Sequence, residues 1–132
     1  MTPLAKKLRI QADQQVLILN APEGFIDSLG PLPNGAELVD STGPQRCNYV
    51  HVFVKNSQQY AELGPVATTA VKHDGILWVS YPKKSSGVET DLSRDAMWDL
   101  LGEIGWRPVS QVSIDTVWSA VRFRPNELVG SA

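Results

Sequence analysis

Apolar positions along the chain fall into short continuous runs that alternate with stretches of helical spacing. Three runs are typical of strands buried on both faces of a sheet: Val16–Leu19, Tyr49–Val54 and Ile76–Tyr81. Between and after them, apolar residues recur every three or four positions, which favours helices. The predicted helices are a short one at Thr2–Arg9, then Phe25–Leu29, Ser57–Lys72 and a last one that begins after Ser93.

Further strands are predicted at Ala36–Val39, Val109–Ile114 and Val117–Phe123, the last two joined by a tight turn at Asp115-Thr116. Gly64-Pro65 should break or kink the helix that contains it, because proline lacks the N–H that the helix needs. Asp74-Gly75 is predicted to turn the chain into the strand at Ile76.

Strands that alternate with helices favour a parallel sheet covered by helices on both faces. The closing hairpin would add antiparallel strands at one edge. The sequence therefore predicts one α/β domain over residues 1–132, a small Rossmann-like three-layer sandwich with a mostly parallel sheet.

Composition narrows the possible functions. Twelve Lys and Arg residues against fourteen Asp and Glu give a net charge of −2, which argues against a nucleic-acid or anionic-membrane partner. No apolar run is long enough to span a membrane, and the first ten residues lack the apolar core of a secretion signal. A lone cysteine, Cys47, fits a reducing cytoplasm, and the scattered His and Cys residues give no metal-ligand spacing.

The final third of the chain resembles the end of a class I methyltransferase domain. The residues that carry this likeness are the strand from Gly75 to Val79, the helix end at Gly105-Trp106 and the hairpin around Asp115. The whole chain also resembles a bacterial family of small proteins catalogued as a domain of unknown function, which brings no activity with it. That second resemblance is carried by residues 16–25, 77–87 and 117–123.

The segment after the first strand departs from the methyltransferase pattern. Cofactor-binding members place a glycine-rich loop there, whereas this chain has Asn20-Ala21-Pro22-Glu23-Gly24, with one glycine and a proline. Asp40 does lie about twenty residues further on, where a ribose-binding acid would be expected. On balance, the sequence predicts no cofactor and disfavours S-adenosylmethionine or a nucleotide.

Candidate ligand residues follow the carboxyl ends of the predicted parallel strands, where open α/β sheets bind ligands. The segment from Lys83 to Gly87, with Lys84, Ser85 and Ser86, could hold a phosphate or carboxylate, or could be a solvated loop. Glu23 could be a general base or could support the start of the next helix. The complete set of candidates is Asn20, Glu23, Gly24, Asp40, Lys83, Lys84, Ser85, Ser86, Asp115 and Trp118.

For several other residues, a structural role is the preferred interpretation. His51 shares a strand face with Tyr49 and Phe53, which predicts a core histidine. Trp78 and Trp98 are predicted on core stripes, and Asp91 and Asp95 are interpreted as charges at a helix start.

Two functions remain open from the sequence. The preferred one is a non-catalytic module that binds a partner protein or a small anionic ligand at the carboxyl edge through Lys83, Lys84 and Ser85. The alternative is a divergent methyltransferase-like or nucleotide-using enzyme with a degenerate cofactor loop, in which Glu23, Asp40 and Asp115 make acid–base or ribose contacts.

Overall fold

The computed structural model describes residues 3–39 and 46–125, apart from the side chains of Asp74 and Arg94. Its helices are α1 (Pro3–Lys7), α2 (Phe25–Leu29), α3 (Ser57–Ala70) and α4 (Arg94–Gly102), with a single 3-10 turn at Lys84–Ser86. Its strands are β1 (Gln15–Leu19), β2 (Glu37–Val39), β3 (Cys47–Phe53), β4 (Val71–Pro82), β5 (Trp106–Ser113) and β6 (Trp118–Pro125). Each predicted element is present. None of these helices has the length and apolar character needed to cross a membrane.

The strands of the described residues form one sheet in the order β2-β1-β3-β4-β6-β5. β1 pairs in parallel with both β2 and β3, and β3 pairs in parallel with β4. β6 is antiparallel to both of its neighbours, β4 and β5. The predicted mostly parallel sheet with a C-terminal antiparallel hairpin is therefore confirmed.

Helices cover both faces of the sheet. α1 and α2 pack on one face, where Leu8 and Phe25 join a cluster that contains Trp78. α3 and α4 pack on the other, where Met97 joins a cluster that contains Leu77. Successive residues of β4 thus point to opposite clusters, as the pleat of a strand requires. This is the predicted three-layer sandwich.

α3 runs without a break through Gly64 and Pro65, so the break that was predicted there, as the alternative to a kink, is absent. Proline leaves one carbonyl of the preceding turn without its helical donor. Glycine at position 64 permits close packing, since a Cβ there would lie 2.8 Å from the ring of Tyr60. The Oγ1 of Thr68 donates a hydrogen bond to the Gly64 carbonyl oxygen at 3.2 Å.

The predicted turn at Asp74-Gly75 is wrong, because both residues lie inside β4 and α3 passes directly into that strand. The pairing of β3 with β4 shifts register between Cys47 and Tyr49. A Cβ on Gly75 would lie 3.0 Å from the carbonyl oxygen of Asn48. The glycine therefore serves the close approach of two strands at this irregularity.

The two tryptophans predicted in the core have different environments. Trp78 is fully buried, as predicted, and its Nε1 donates a hydrogen bond to the carbonyl oxygen of Leu8 at 2.8 Å. Trp98 is 46% exposed, so that prediction is wrong. Trp98 follows the buried Met97 by one position, and one helical step of about 100° turns it towards solvent.

Candidate functional site

The connections of the sheet change direction between β1 and β3. From β1 the chain passes through α2 to β2 on one side, whereas β3 lies on the other side of β1 and leads through α3 to β4. α2 and α3 pack on opposite faces, so the loops after β1 and β3 diverge above the carboxyl ends of these strands. Open α/β sheets bind ligands at such a switch point. Residues 20–24 and 54–57 are here called the switch-point crevice.

The loop after β1 is held in a defined conformation. Asn20 and Gly24 both adopt the left-handed region, with φ of 58° and 85°. The Nδ2 of Asn20 donates a hydrogen bond to the carbonyl oxygen of Phe53 at 2.9 Å, which ties this loop to the end of β3. A Cβ added to Gly24 would meet no atom within 4 Å, and Glu23 is exposed. The loop is therefore tied to β3 through Asn20, and the space around Gly24 is open.

A carboxylate is bound at the start of α3, on the part of the crevice that follows β3. The Oδ1 of Asp91 accepts a hydrogen bond from the backbone N–H of Ser57 at 2.8 Å, and Oδ2 accepts one from its hydroxyl at 2.5 Å. These hydrogen bonds from Ser57 lower the pKa of Asp91. Asp91 thus clamps the start of α3, across the sheet edge, although the sequence suggested a role at the start of α4.

An acidic cavity of about 350 Å³ adjoins this clamp. Its lining residues are Asn56, Glu89, Thr90 and Asp91. Glu89 and Asp91 are exposed. Clustered carboxylates produce a negative potential, which attracts cationic ligands and repels phosphates.

The two lysines predicted to act together have different roles. The Nζ of Lys83 donates hydrogen bonds to Ser113 Oγ at 2.5 Å and to the Asp115 carbonyl oxygen at 2.6 Å. Its backbone N–H donates to the carbonyl oxygen of Val117 at 2.7 Å. Lys84 is exposed, and its ammonium has no partner among residues 3–39 and 46–125. Lys83 therefore fixes the hairpin, and Lys84 is the lysine free to bind an anion.

The two serines beside these lysines also have different roles. The hydroxyl of Ser86 donates to the Lys83 carbonyl oxygen at 2.6 Å and accepts from the N–H of Val88 at 3.2 Å, which closes the 3-10 turn. Ser85 is exposed. Ser86 therefore serves the loop itself.

The two candidates at the hairpin are part of its architecture. The Oδ1 of Asp115 accepts hydrogen bonds from the N–H groups of Val117 and Trp118, each at 2.8 Å, and so holds the turn. Trp118 is 7% exposed and packs edge-on against Phe53, with ring centroids 5.1 Å apart. The structure places its ring in the core, beside the last residue of β3. Asp40 lies outside the described residues.

A second cavity, of about 370 Å³, lies on the α4 side of the sheet at the end of β4. It is here called the β4 cavity, and its lining residues are Tyr81, Lys83, Lys84, Leu92, Ser93, Asp95, Gln111 and Ser119. Sequence reasoning identified its two lysines as ligand candidates. The others come from the end of β4, the start of α4 and the residues before it, β5 and β6, and no motif in the sequence joins them.

His51 is a buried core histidine, as predicted. Its ring is fully buried, stacks on Phe53 at 4.4 Å and meets the edge of Phe25 at 5.3 Å. Its Nδ1 lies 3.3 Å from the Tyr49 hydroxyl and its Nε2 lies 2.6 Å from the Ser80 hydroxyl. Burial lowers the pKa of His51 to about 3. The ring is therefore neutral at physiological pH, with one nitrogen donating and the other accepting.

Within the described ranges, no three His, Cys, Asp or Glu side chains come together as a metal site requires. No family model matches the sequence, and a search of the curated proteins finds no match. The resemblance to a family of unknown function therefore stays a prediction.

Solved structures match nearly the whole chain. The DhpI–SAH complex is 16% identical, covers 93% of this chain and 83% of its own, and gives a TM-score of 0.60. A SAM-dependent methyltransferase from Aquifex aeolicus is 13% identical, with coverages of 89% and 85% and a TM-score of 0.55. Streptococcus pneumoniae Sp1610, in complex with S-adenosyl-L-methionine, is 8% identical, with coverages of 98% and 73% and a TM-score of 0.52. The chain has a Rossmann-like, methyltransferase-like fold.

Proposed function

We propose that this chain is a small methyltransferase-like enzyme that binds S-adenosylmethionine in the switch-point crevice. The observation that carries the proposal is the open loop at residues 20–24, tied by Asn20 to the end of β3 at the point where the sheet connections reverse. Proteins of similar structure include the DhpI–SAH complex and Sp1610 in complex with S-adenosyl-L-methionine. These likenesses support the enzyme alternative over the non-catalytic module.

The charge of the crevice favours S-adenosylmethionine over a nucleotide. S-adenosylmethionine carries a positive sulfur, an ammonium group and one carboxylate, so its net charge is positive, whereas ATP and the dinucleotides carry several negative phosphate charges. Glu23, Glu89 and Asp91 present carboxylates at this edge. Phosphate sites normally need a nest of free backbone N–H groups, and Pro22 removes one from the loop.

The residues of this chain would bind and orient the cofactor. When bound, S-adenosylmethionine supplies a methyl group on a positively charged sulfur. Asn20 ties the loop to the end of β3 through its bond to Phe53, and Gly24 puts no side chain into the open space around it. The exposed Glu23 carboxylate would accept hydrogen bonds from the ligand, and Asp91 holds the start of α3 in place.

Thermal unfolding with added ligands tests this proposal. A ligand at one hundred times its dissociation constant stabilises the folded state by about 2.7 kcal/mol, which raises the midpoint by several degrees. We expect this shift with S-adenosylmethionine and S-adenosylhomocysteine, and none with ATP or NADP at the same concentration. No shift with either adenosylated compound at millimolar concentration would contradict the proposal, and a shift with ATP or NADP alone would point to a nucleotide site.

A charge-neutral variant of Glu23 makes the test specific. We expect Glu23→Gln to weaken S-adenosylmethionine binding about threefold to tenfold, because it removes a charged partner of the cationic ligand. Binding of S-adenosylhomocysteine, whose sulfur is neutral, should weaken less. Glu62→Gln, at an exposed position on α3, is the matched control and should leave both affinities unchanged in a calorimetric titration. Equal behaviour of the two variants would exclude Glu23 from the site.

A further inference from the structure

The β4 cavity combines free charged groups of both signs. Neither Lys84 Nζ nor the Asp95 carboxylate makes a hydrogen bond or ion pair with another residue in the described part of the chain. They line the same cavity from two elements, the 3-10 turn and α4. Lys84 can therefore bind an anionic group of a ligand, and Asp95 can accept a hydrogen bond from a donor group.

The floor of the cavity carries buried polar and apolar groups. Ser119 is 4% exposed, and its Oγ accepts a hydrogen bond from Gln111 Nε2 at 2.9 Å, which leaves the hydroxyl hydrogen available to a ligand. Tyr81 and Leu92 are 5% and 3% exposed and supply apolar walls. Small-molecule sites share this composition, with apolar walls and a few fixed polar groups in a volume above about 300 Å³.

The same surroundings disfavour a nucleic acid. Phosphate backbones are bound by several basic side chains at once. Lys83 has its ammonium bonded to Ser113 and to the Asp115 carbonyl, so Lys84 is the single free cation among the described lining residues, and Asp95 opposes it. The net charge of −2 also opposes the binding of a nucleic acid.

We propose that the β4 cavity is a second ligand site and that it takes a small organic anion with an apolar body and a hydrogen-bond donor. It lies at the carboxyl end of β4, and the switch-point crevice lies at the ends of β1 and β3, so both sites share one edge of the sheet. Its role as a substrate site rests on the proposed function, whereas binding of the anion does not.

The test is a two-dimensional amide NMR titration of the full chain with 4-aminobenzoate as the probe. We expect saturable shifts at millimolar concentration for the amides of Lys84, Ser93 and Gln111. The neutral analogue 4-aminobenzamide should bind about tenfold more weakly, because it lacks the charge that Lys84 recognises. Lys84→Ala should weaken the binding of 4-aminobenzoate about threefold to tenfold. Lys72→Ala, which changes an exposed lysine near the other end of β4, should leave this affinity unchanged.

Several results would overturn the proposal. One is the absence of shifts around the cavity with 4-aminobenzoate, and another is equal affinity for the amide. A third is an RNA oligonucleotide that shifts the same amides at physiological salt, since this would assign the surface to a nucleic acid. Repeating the titration with S-adenosylmethionine separates the two proposals: anion binding without cofactor binding keeps this site and removes the proposed function, while the reverse result removes this site alone.

Discussion

Replacing Trp78 by alanine is expected to lower the free energy of unfolding by about 3–5 kcal/mol. The side chain is fully buried between the sheet and α1, where it donates to the carbonyl oxygen of Leu8 at 2.8 Å. Alanine would leave a cavity in the cluster and a buried carbonyl without its partner. Both effects act in the same direction, so this variant should be among the least stable single substitutions of the chain.

Urea unfolding followed by circular dichroism measures the effect, and Trp98 provides the control. Trp98→Ala removes the same side chain from a position that is 46% exposed, so a loss below about 1 kcal/mol is expected. The loss of unfolding free energy for Trp78→Phe should lie between these two values, because phenylalanine keeps most of the packing and loses the hydrogen bond. Equal losses at positions 78 and 98 would contradict the assignment of α1 and its sheet contact to the core.

Stability should also fall as the solution is acidified from pH 6.5, because of His51. Burial lowers its pKa to about 3 in the folded state, whereas the unfolded chain has a value near 6.5. Below pH 6.5 the unfolded state therefore binds a proton that the folded state does not. The resulting slope is about 1.4 kcal/mol per pH unit down to the folded pKa, so about 2 kcal/mol is lost between pH 6.5 and 5.

Denaturant midpoints at several pH values between 5 and 7 would measure this slope. His51→Phe should remove it, because phenylalanine fits beside Phe25 and Phe53 and does not titrate. His73→Gln changes an exposed histidine, and this variant should keep the pH dependence of stability. Finding the same pH dependence in both variants would show that His51 is not the group responsible.

The strands and helices were predictable because their signals are local. Tyr49 to Val54 is apolar at nearly every position, and β3 is buried on both faces. The capping of α4 by Ser93 was also predictable, and its Oγ accepts a hydrogen bond from the N–H of Ala96 at 3.1 Å. In each case the deciding residues lie within a few positions of one another.

The misjudged residues depend on partners far along the chain. Gly75 looks like a turn residue until Asn48 is placed beside it. Lys83 looks like an anion ligand, but its hydrogen-bond partners Ser113 and Asp115 lie about thirty positions away and meet it only through the hairpin. Asp91 is adjacent to Ser57 only in the folded chain.

The sequence interpretation of the loop after β1 was incomplete for a different reason. Its single glycine suggested a poor ligand loop, because the prediction counted glycines. Asn20 supplies a second left-handed position, with φ of 58°, and asparagine tolerates that region better than most residues. Conformation, and not glycine content, decides whether this backbone leaves room for a ligand.

The position of β6 between β4 and β5 has a consequence for synthesis on the ribosome. A nascent chain that has emerged only as far as β5 contains β4 but not the strand that pairs with its free edge. Open edges of apolar strands recruit other chains. Translation of residues 118–125 is thus the step that closes this edge, and a chain stalled or truncated before it should aggregate even though α3, α4 and the parallel strands are already made.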